Sequence, residues 1–185
     1  MSEASVAAAE IAVRDWLNQV VLGLNLCPFA HKPYRDGSVR IVIDPAKTEE
    51  QALESLVAEV GRLDGTDASK LETSLLVFPA LWADFLDYND FLDVADASLD
   101  ALDRSDRYQI ASFHPHYQFG GTQPDDAENL TNRAPFPILH LLREDSVSAA
   151  VARHADAATI PDDNIARVSA LTPQERLQLF PWLVK

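Results

Sequence analysis

One cysteine, Cys27, stands in a chain of 185 residues, so no disulfide can form within it. That agrees with a reducing compartment. Positive charge is also scarce: 15 lysines and arginines face 29 aspartates and glutamates, a formal net charge of −14. Nucleic acid and anionic membranes are held through a basic footprint, so this balance speaks against both as partners. No apolar run reaches the length of a membrane span, and the opening MSEASVAAAE lacks a basic stretch followed by a greasy one. A cytoplasmic protein is the expectation. Also missing are the G-x-S-x-G elbow, the phosphate-binding P-loop, the dinucleotide G-x-G-x-x-G and the C-x-x-C pair. No internal repeat, low-complexity tract or long linker divides the chain. Residues 1–185 are therefore read as a single α/β domain with C-terminal helices over 145–185 packed on it.

Apolar residues make up 47% of the chain, enough for a sizeable core, and their spacing orders the elements. Val13, Trp16, Leu17, Val20, Val21 and Leu24 follow the i, i+3, i+4 rhythm of a helix with one buried face. Pro28 disfavours helix at Cys27, so Asn25–Ala30 is expected as a turn or extended loop. Lys32, Arg35 and Arg40 then form a local basic cluster. Val39–Ile43 reads as a strand, Thr48 with Gln51 as a capping box for a second helix, and Ser74–Phe78 as a strand covered on both faces. A third helix carries Phe85, Tyr88, Leu92, Ala95 and Leu99 on one stripe, with aspartates on the solvated remainder. Tyr108–Phe113 and Phe136–Leu142 complete four strands. Ser146 to Ala157 and Asp162–Ala170 look helical, and Thr172-Pro173-Gln174-Glu175 is a helix start.

This order predicts a layered α/β sheet of about four strands flanked by helices, the first three strands parallel because full helices join them. Their carboxyl ends would then share one edge, where open α/β sheets bind ligands. An antiparallel fourth strand would bring Asn132 and Arg133 to that edge; a parallel one would carry them away.

Polar and ring-bearing side chains crowd the stretch Ala111–Glu144, between two of these strands. His114 and His116 point the same way if the segment is extended. They could hold a divalent metal, with Asp125, Asp126, His140 or Cys27 as a third ligand. Alternatively one of them serves as general acid or base. Arg133, fixed by neighbouring prolines, could clamp a carboxylate or phosphate, with Asn132 adding donors. Cys27 is a potential nucleophile if a cation lowers its pKa. His140 alternates with Leu139 and Leu141, as a core histidine with a satisfied hydrogen bond would.

L-N-L-C-P-F-A at Leu24–Ala30, S-F-H-P-x-Y-x-F at Ser112–Phe119 and N-R-A-P-F-P-x-L-H-L-L-R-E at Asn132–Glu144 together resemble a bacterial family catalogued as a domain of unknown function. The likeness extends over nearly the whole chain. It implies no activity or cofactor, but it suggests that the Asn25–Cys27 turn, the His114 loop and Arg133 belong to one pattern.

The leading expectation is a small cytoplasmic enzyme, a hydrolase or transferase, acting on a small anionic metabolite. His114, His116 and Cys27 would be its catalytic groups, with Asn25, Asn132, Arg133, Lys32 and Arg35 holding the anion. The alternatives are a metal-dependent enzyme built on His114 and His116, and a non-catalytic ligand-binding or interaction module.

Overall fold

The computed structural model describes residues 1–154 and 156–183. Ala155, Val184 and Lys185, all within the expected helical 145–185 stretch, lie outside the described residues.

Helix α1, Glu3–Trp16, starts where the Ser2 side chain accepts the Ser5 N–H. It does not continue as an α-helix to Leu24; at Leu17–Leu22 the chain widens into a π-helix. Gly23 ends that turn because it must: a Cβ there would lie 2.3 Å from the Gln19 carbonyl oxygen. Asn25 follows with a φ of 51°, a left-handed conformation that asparagine tolerates better than most residues. The basic cluster is partly helical, as α2, His31–Arg35.

Strand β1 is Val39–Ile43, and α3, Glu49–Asp64, is capped by Thr48, which accepts the Gln51 N–H. The Gln51 side chain reaches back to the Lys47 N–H, one residue before the expected cap. Strand β2, Thr73–Val77, is buried throughout, as a strand covered on both faces must be. Helix α4, Phe85–Ala101, is capped by Asp84, and β3 is Tyr108–Phe113. Strand β4, Ile138–Arg143, runs straight into α5, Glu144–Arg153. Helix α6 is Ile160–Ser169, and α7, Pro173–Leu179, opens with the complete Thr172–Glu175 capping box.

The four strands form one mixed sheet in the order β1-β2-β4-β3, flanked by helices. Only β1 and β2 make a parallel pair; β4 is antiparallel to both β2 and β3. The first three strands point the same way, as expected, but β2 and β3 are not hydrogen-bonded neighbours. Strand β4 inserts between β2 and β3 and takes the backbone bonds they would have shared. Because β4 opposes both neighbours, the ends of β1, β2 and β3 and the start of β4 lie on one edge of the sheet.

Alternation splits the core into two layers. Leu76, Leu139 and Leu141 pack with Leu56, Val60, Tyr88 and Phe91 under α3 and α4. Leu75, Val77 and Ile138 pack with Val13, Trp16, Leu17 and Val20 under α1 and the π-helix, joined by Val168 of α6. Each fully buried aliphatic side chain of this kind contributes roughly 1.5–3 kcal/mol of transfer free energy.

Candidate functional site

The loop between β3 and β4 is where the sequence concentrates its chemistry, and its first histidine is buried, with 1% of its surface exposed. His114 Nε2 lies 2.9 Å from the Trp82 carbonyl oxygen, so it donates there, and Nδ1 accepts the His116 N–H at 3.0 Å. Its ring stacks on Tyr88, with centroids 5.3 Å apart, and meets Phe85 at a tilt. The partner carbonyl belongs to Trp82, whose φ of 55° is unusual for a bulky residue. His114 therefore pins a strained turn. Burial lowers its pKa, which keeps the ring neutral in that role.

The rest of the loop is closed in the same way. Arg133 Nε donates to the Tyr117 carbonyl oxygen and Nη2 to that of Pro124. Asn132 Nδ2 donates to the Ser112 carbonyl oxygen. Asn129, fully buried, accepts the Phe119 N–H and the Thr122 hydroxyl through Oδ1 and donates to the Gln123 carbonyl oxygen. Asp126 accepts the Gln123 N–H. An anion clamp at Arg133 and Asn132 would have to take donors from these carbonyls. A metal on His114 would have to displace a backbone partner, and among the described residues no group of three His, Cys, Asp or Glu side chains is placed to hold one.

The basic segment is similarly occupied. Lys32 and Arg35 both pair with Asp36, and their side chains are 79% and 74% exposed. Arg40 turns instead toward the buried carboxylate of Glu59, beside Arg62. Asn25 bonds His31 through its side chain and Arg167 through its carbonyl oxygen.

A cavity of about 810 Å³ opens elsewhere, on the α1 side of the sheet. Its floor is the sheet face carrying Thr73, Leu75, Ala111, Phe113 and His140, and its walls are Trp16, the π-helix, the Cys27–Ser38 segment and α5. Cys27 and Lys32 are thus brought together with His140. His114, His116, Asn132, Arg133, Asn25 and Arg35 are not among its lining residues.

Two residues that line the cavity, Trp16 and His154, carry polar atoms, Nε1 and Nδ1, that are enclosed and unpaired among the described residues. Buried polar atoms are nearly always paired, so both are unusual. Arg143 also borders the space, but its side chain turns to the α3 face, where Nη2 donates to the carbonyl oxygens of Leu63, Thr66 and Leu71. His154 meets the Phe29 ring edge-on at 5.8 Å.

His140 faces this floor. Its Nε2 is 2.7 Å from Thr73 Oγ1, and that hydroxyl donates its one proton to the Leu141 carbonyl oxygen. Thr73 must then accept from His140, so Nε2 carries the ring proton. Burial pushes the imidazole down to about 4, leaving it uncharged at neutral pH. Burial also pushes the Cys27 thiol up, against the opposing pull of the Phe29 and Ala30 N–H groups on its sulfur. The thiol is protonated at neutral pH.

Sequence reasoning placed His140 on one face of the sheet with a satisfied hydrogen bond, and Thr73 supplies that bond. It missed Trp16, Thr73 and His154 as parts of a cavity. Trp16 lies on the apolar stripe of α1 and reads as core, and nothing local distinguishes His154.

The model of one protein family, described as "Protein of unknown function (DUF1415)", matches residues 8–178 of the chain. No curated protein and no solved structure matches it.

Proposed function

The chain belongs to the DUF1415 family, and we propose that it is a small-molecule-binding protein whose ligand is a largely apolar, ring-bearing molecule held between the sheet and α1. The observation that carries this reading is the cavity itself, about 810 Å³ with a floor of Leu75, Ala111, Phe113 and His140. Ligand sites are typically apolar clefts of this size with a few placed polar groups. Burial of apolar ligand surface supplies about 25 cal/mol per Å², and Phe113 and Trp16, with ring centroids 5.1 Å apart, offer aromatic surface to a ring.

A second reading keeps the anionic metabolite of a small hydrolase or transferase, and the exposed Lys32 and Arg153 on the cavity walls favour it. Asp36, Glu72 and Asp145 line the same space and oppose it. A covalent step at Cys27 has less support, because a protonated thiol is a weak nucleophile. The reading includes a cytoplasmic location, which suits a lone free thiol; no helix among the described residues is long and apolar enough to cross a membrane.

Titration with the uncharged fluorophore N-phenyl-1-naphthylamine tests the reading. A saturable rise in fluorescence at one molecule per chain is expected, weakened about tenfold by Ala150→Trp, which places a large ring in the cavity from α5. Absence of saturable binding to the wild-type chain sinks the proposal, as does unchanged affinity in both Ala150→Trp and Ala111→Phe.

A further inference from the structure

We propose that the ligand of this cavity presents an uncharged O–H or N–H donor to Nδ1 of His140, so that the protein selects phenol- or indole-like molecules over their carboxylate counterparts. This rests on the small-molecule reading above and names the ligand class.

The Thr73 hydroxyl has one proton, and it points at the Leu141 carbonyl oxygen 2.5 Å away. Thr73 can only accept from the imidazole, and the ring proton is therefore fixed on Nε2. A neutral imidazole has a single N–H, so Nδ1 is left with a lone pair and no partner among the described residues. His140 is only half-buried on the cavity floor, and Nδ1 is not among the enclosed unpaired atoms, unlike those of Trp16 and His154. In the empty cavity water can reach it, and a ligand that displaces that water must replace its hydrogen bond or lose affinity.

The surroundings of the ring decide the charge of that ligand. His140 lies across from Leu75 on β2 and Ala111 on β3, with the Phe113 ring centroid 6.3 Å from its own. None of these carries a charge that would hold an imidazolium, and burial favours the neutral ring. A carboxylate would meet a lone pair with a lone pair after losing its own hydration. A neutral donor pays no such penalty.

Displacement of N-phenyl-1-naphthylamine from the full chain at pH 7.5 by 2-naphthol, 2-methoxynaphthalene and 2-naphthoate isolates the donor on one ring system. The expected result is 2-naphthol about tenfold tighter than 2-methoxynaphthalene, with 2-naphthoate weakest. In His140→Phe the naphthol-to-methoxynaphthalene ratio is expected to fall to about one. If that variant does not fold, His140→Met serves instead, because it also removes the acceptor and keeps an apolar side chain of similar length. Equal affinities in the wild-type chain, or an advantage that survives the folded variant, overturn the donor inference while leaving the cavity reading intact. Tightest binding by 2-naphthoate overturns it in favour of the anionic reading. Displacement by none of the three, with the fluorophore bound, also overturns it. Failure of the fluorophore itself to bind removes the cavity reading first.

Discussion

Between His114 and Asn132, nearly every polar side chain named above bonds to the backbone of its own loop or of a neighbouring turn. Under α1 lies a largely apolar space, where Nδ1 of His140 on the floor has no partner among the described residues and the enclosed Nε1 of Trp16 and Nδ1 of His154 have none either. A density of chemically capable residues in the sequence thus marks the loop, whereas unmet hydrogen-bonding capacity marks the cavity. A closed network orders a structure; a binding site needs atoms still free to bond. The two regions touch at Phe113, which ends β3 before His114 and also lines the cavity floor.

The largest effect that separates them is on stability. His114→Ala removes a ring packed on Tyr88 and Phe85, leaves the Trp82 carbonyl oxygen and the His116 N–H without partners, and is expected to cost about 4 kcal/mol in chemical denaturation. The folded fraction is expected to bind N-phenyl-1-naphthylamine as the wild type does. Loss of binding with little loss of stability would reverse the assignment of the two regions.

The acid limb of stability is the next largest. His140 is depressed to about 4 in the folded chain against its ordinary value of 6.5. The unfolded chain therefore binds the extra proton between these values, and stability falls as pH drops from 6.5 toward 4. The full shift corresponds to roughly 3 kcal/mol, lost progressively across that window. His114 is shifted in the same direction by its own burial and adds to the slope. Melting curves of His140→Phe from pH 7.5 to 4 are expected to be flatter than those of the wild type. An identical slope would mean that water in the cavity already solvates the imidazolium.

Parts of this arrangement were legible in the sequence, and the limits have physical causes. Strand β3 and the Thr172–Glu175 capping box lie where periodicity and cap chemistry place them, because both are local signals. The position of β4 was not legible, since a buried apolar run carries no record of which strands it will pair with. The π-helix was hidden for a related reason: Leu17, Val20 and Val21 satisfy the α-helical stripe closely enough that only the clash at Gly23 records the wider turn. The cavity was beyond local reading altogether. Its walls come from the first helix, the Cys27–Ser38 segment, all four strands and α5, and each contributes residues that look like ordinary core or surface. Polar loop residues misled because side-chain type states what a group can bond, not whether it already has.

A smaller effect is expected at Arg133. Its alanine variant loses two hydrogen bonds to the carbonyl oxygens of Tyr117 and Pro124. About 1–2 kcal/mol of stability should go with them, because water can reach part of the vacated site. Isothermal titration with 2-naphthoate is expected to give the same affinity before and after the change. A selective loss of carboxylate binding would restore the anion clamp.

The smallest effect is expected at Lys32, which sharpens the comparison because it is the basic residue that sequence reading assigned to the anion and that also lines the cavity. Its ammonium lies 2.6 Å from Asp36 in an exposed i, i+4 pair. Such pairs add little to stability, because water and salt screen them and the long side chain loses freedom in forming them. Lys32→Ala should therefore leave the melting midpoint unchanged within error. Its effect on ligands is the more telling measurement. An ammonium already shared with Asp36 attracts a carboxylate weakly, so the variant's affinities for 2-naphthol and 2-naphthoate should match those of the wild type. A drop confined to 2-naphthoate, growing as salt is lowered, would show that the cavity reads charge at its rim and would move its selectivity from the His140 floor to the Lys32 wall.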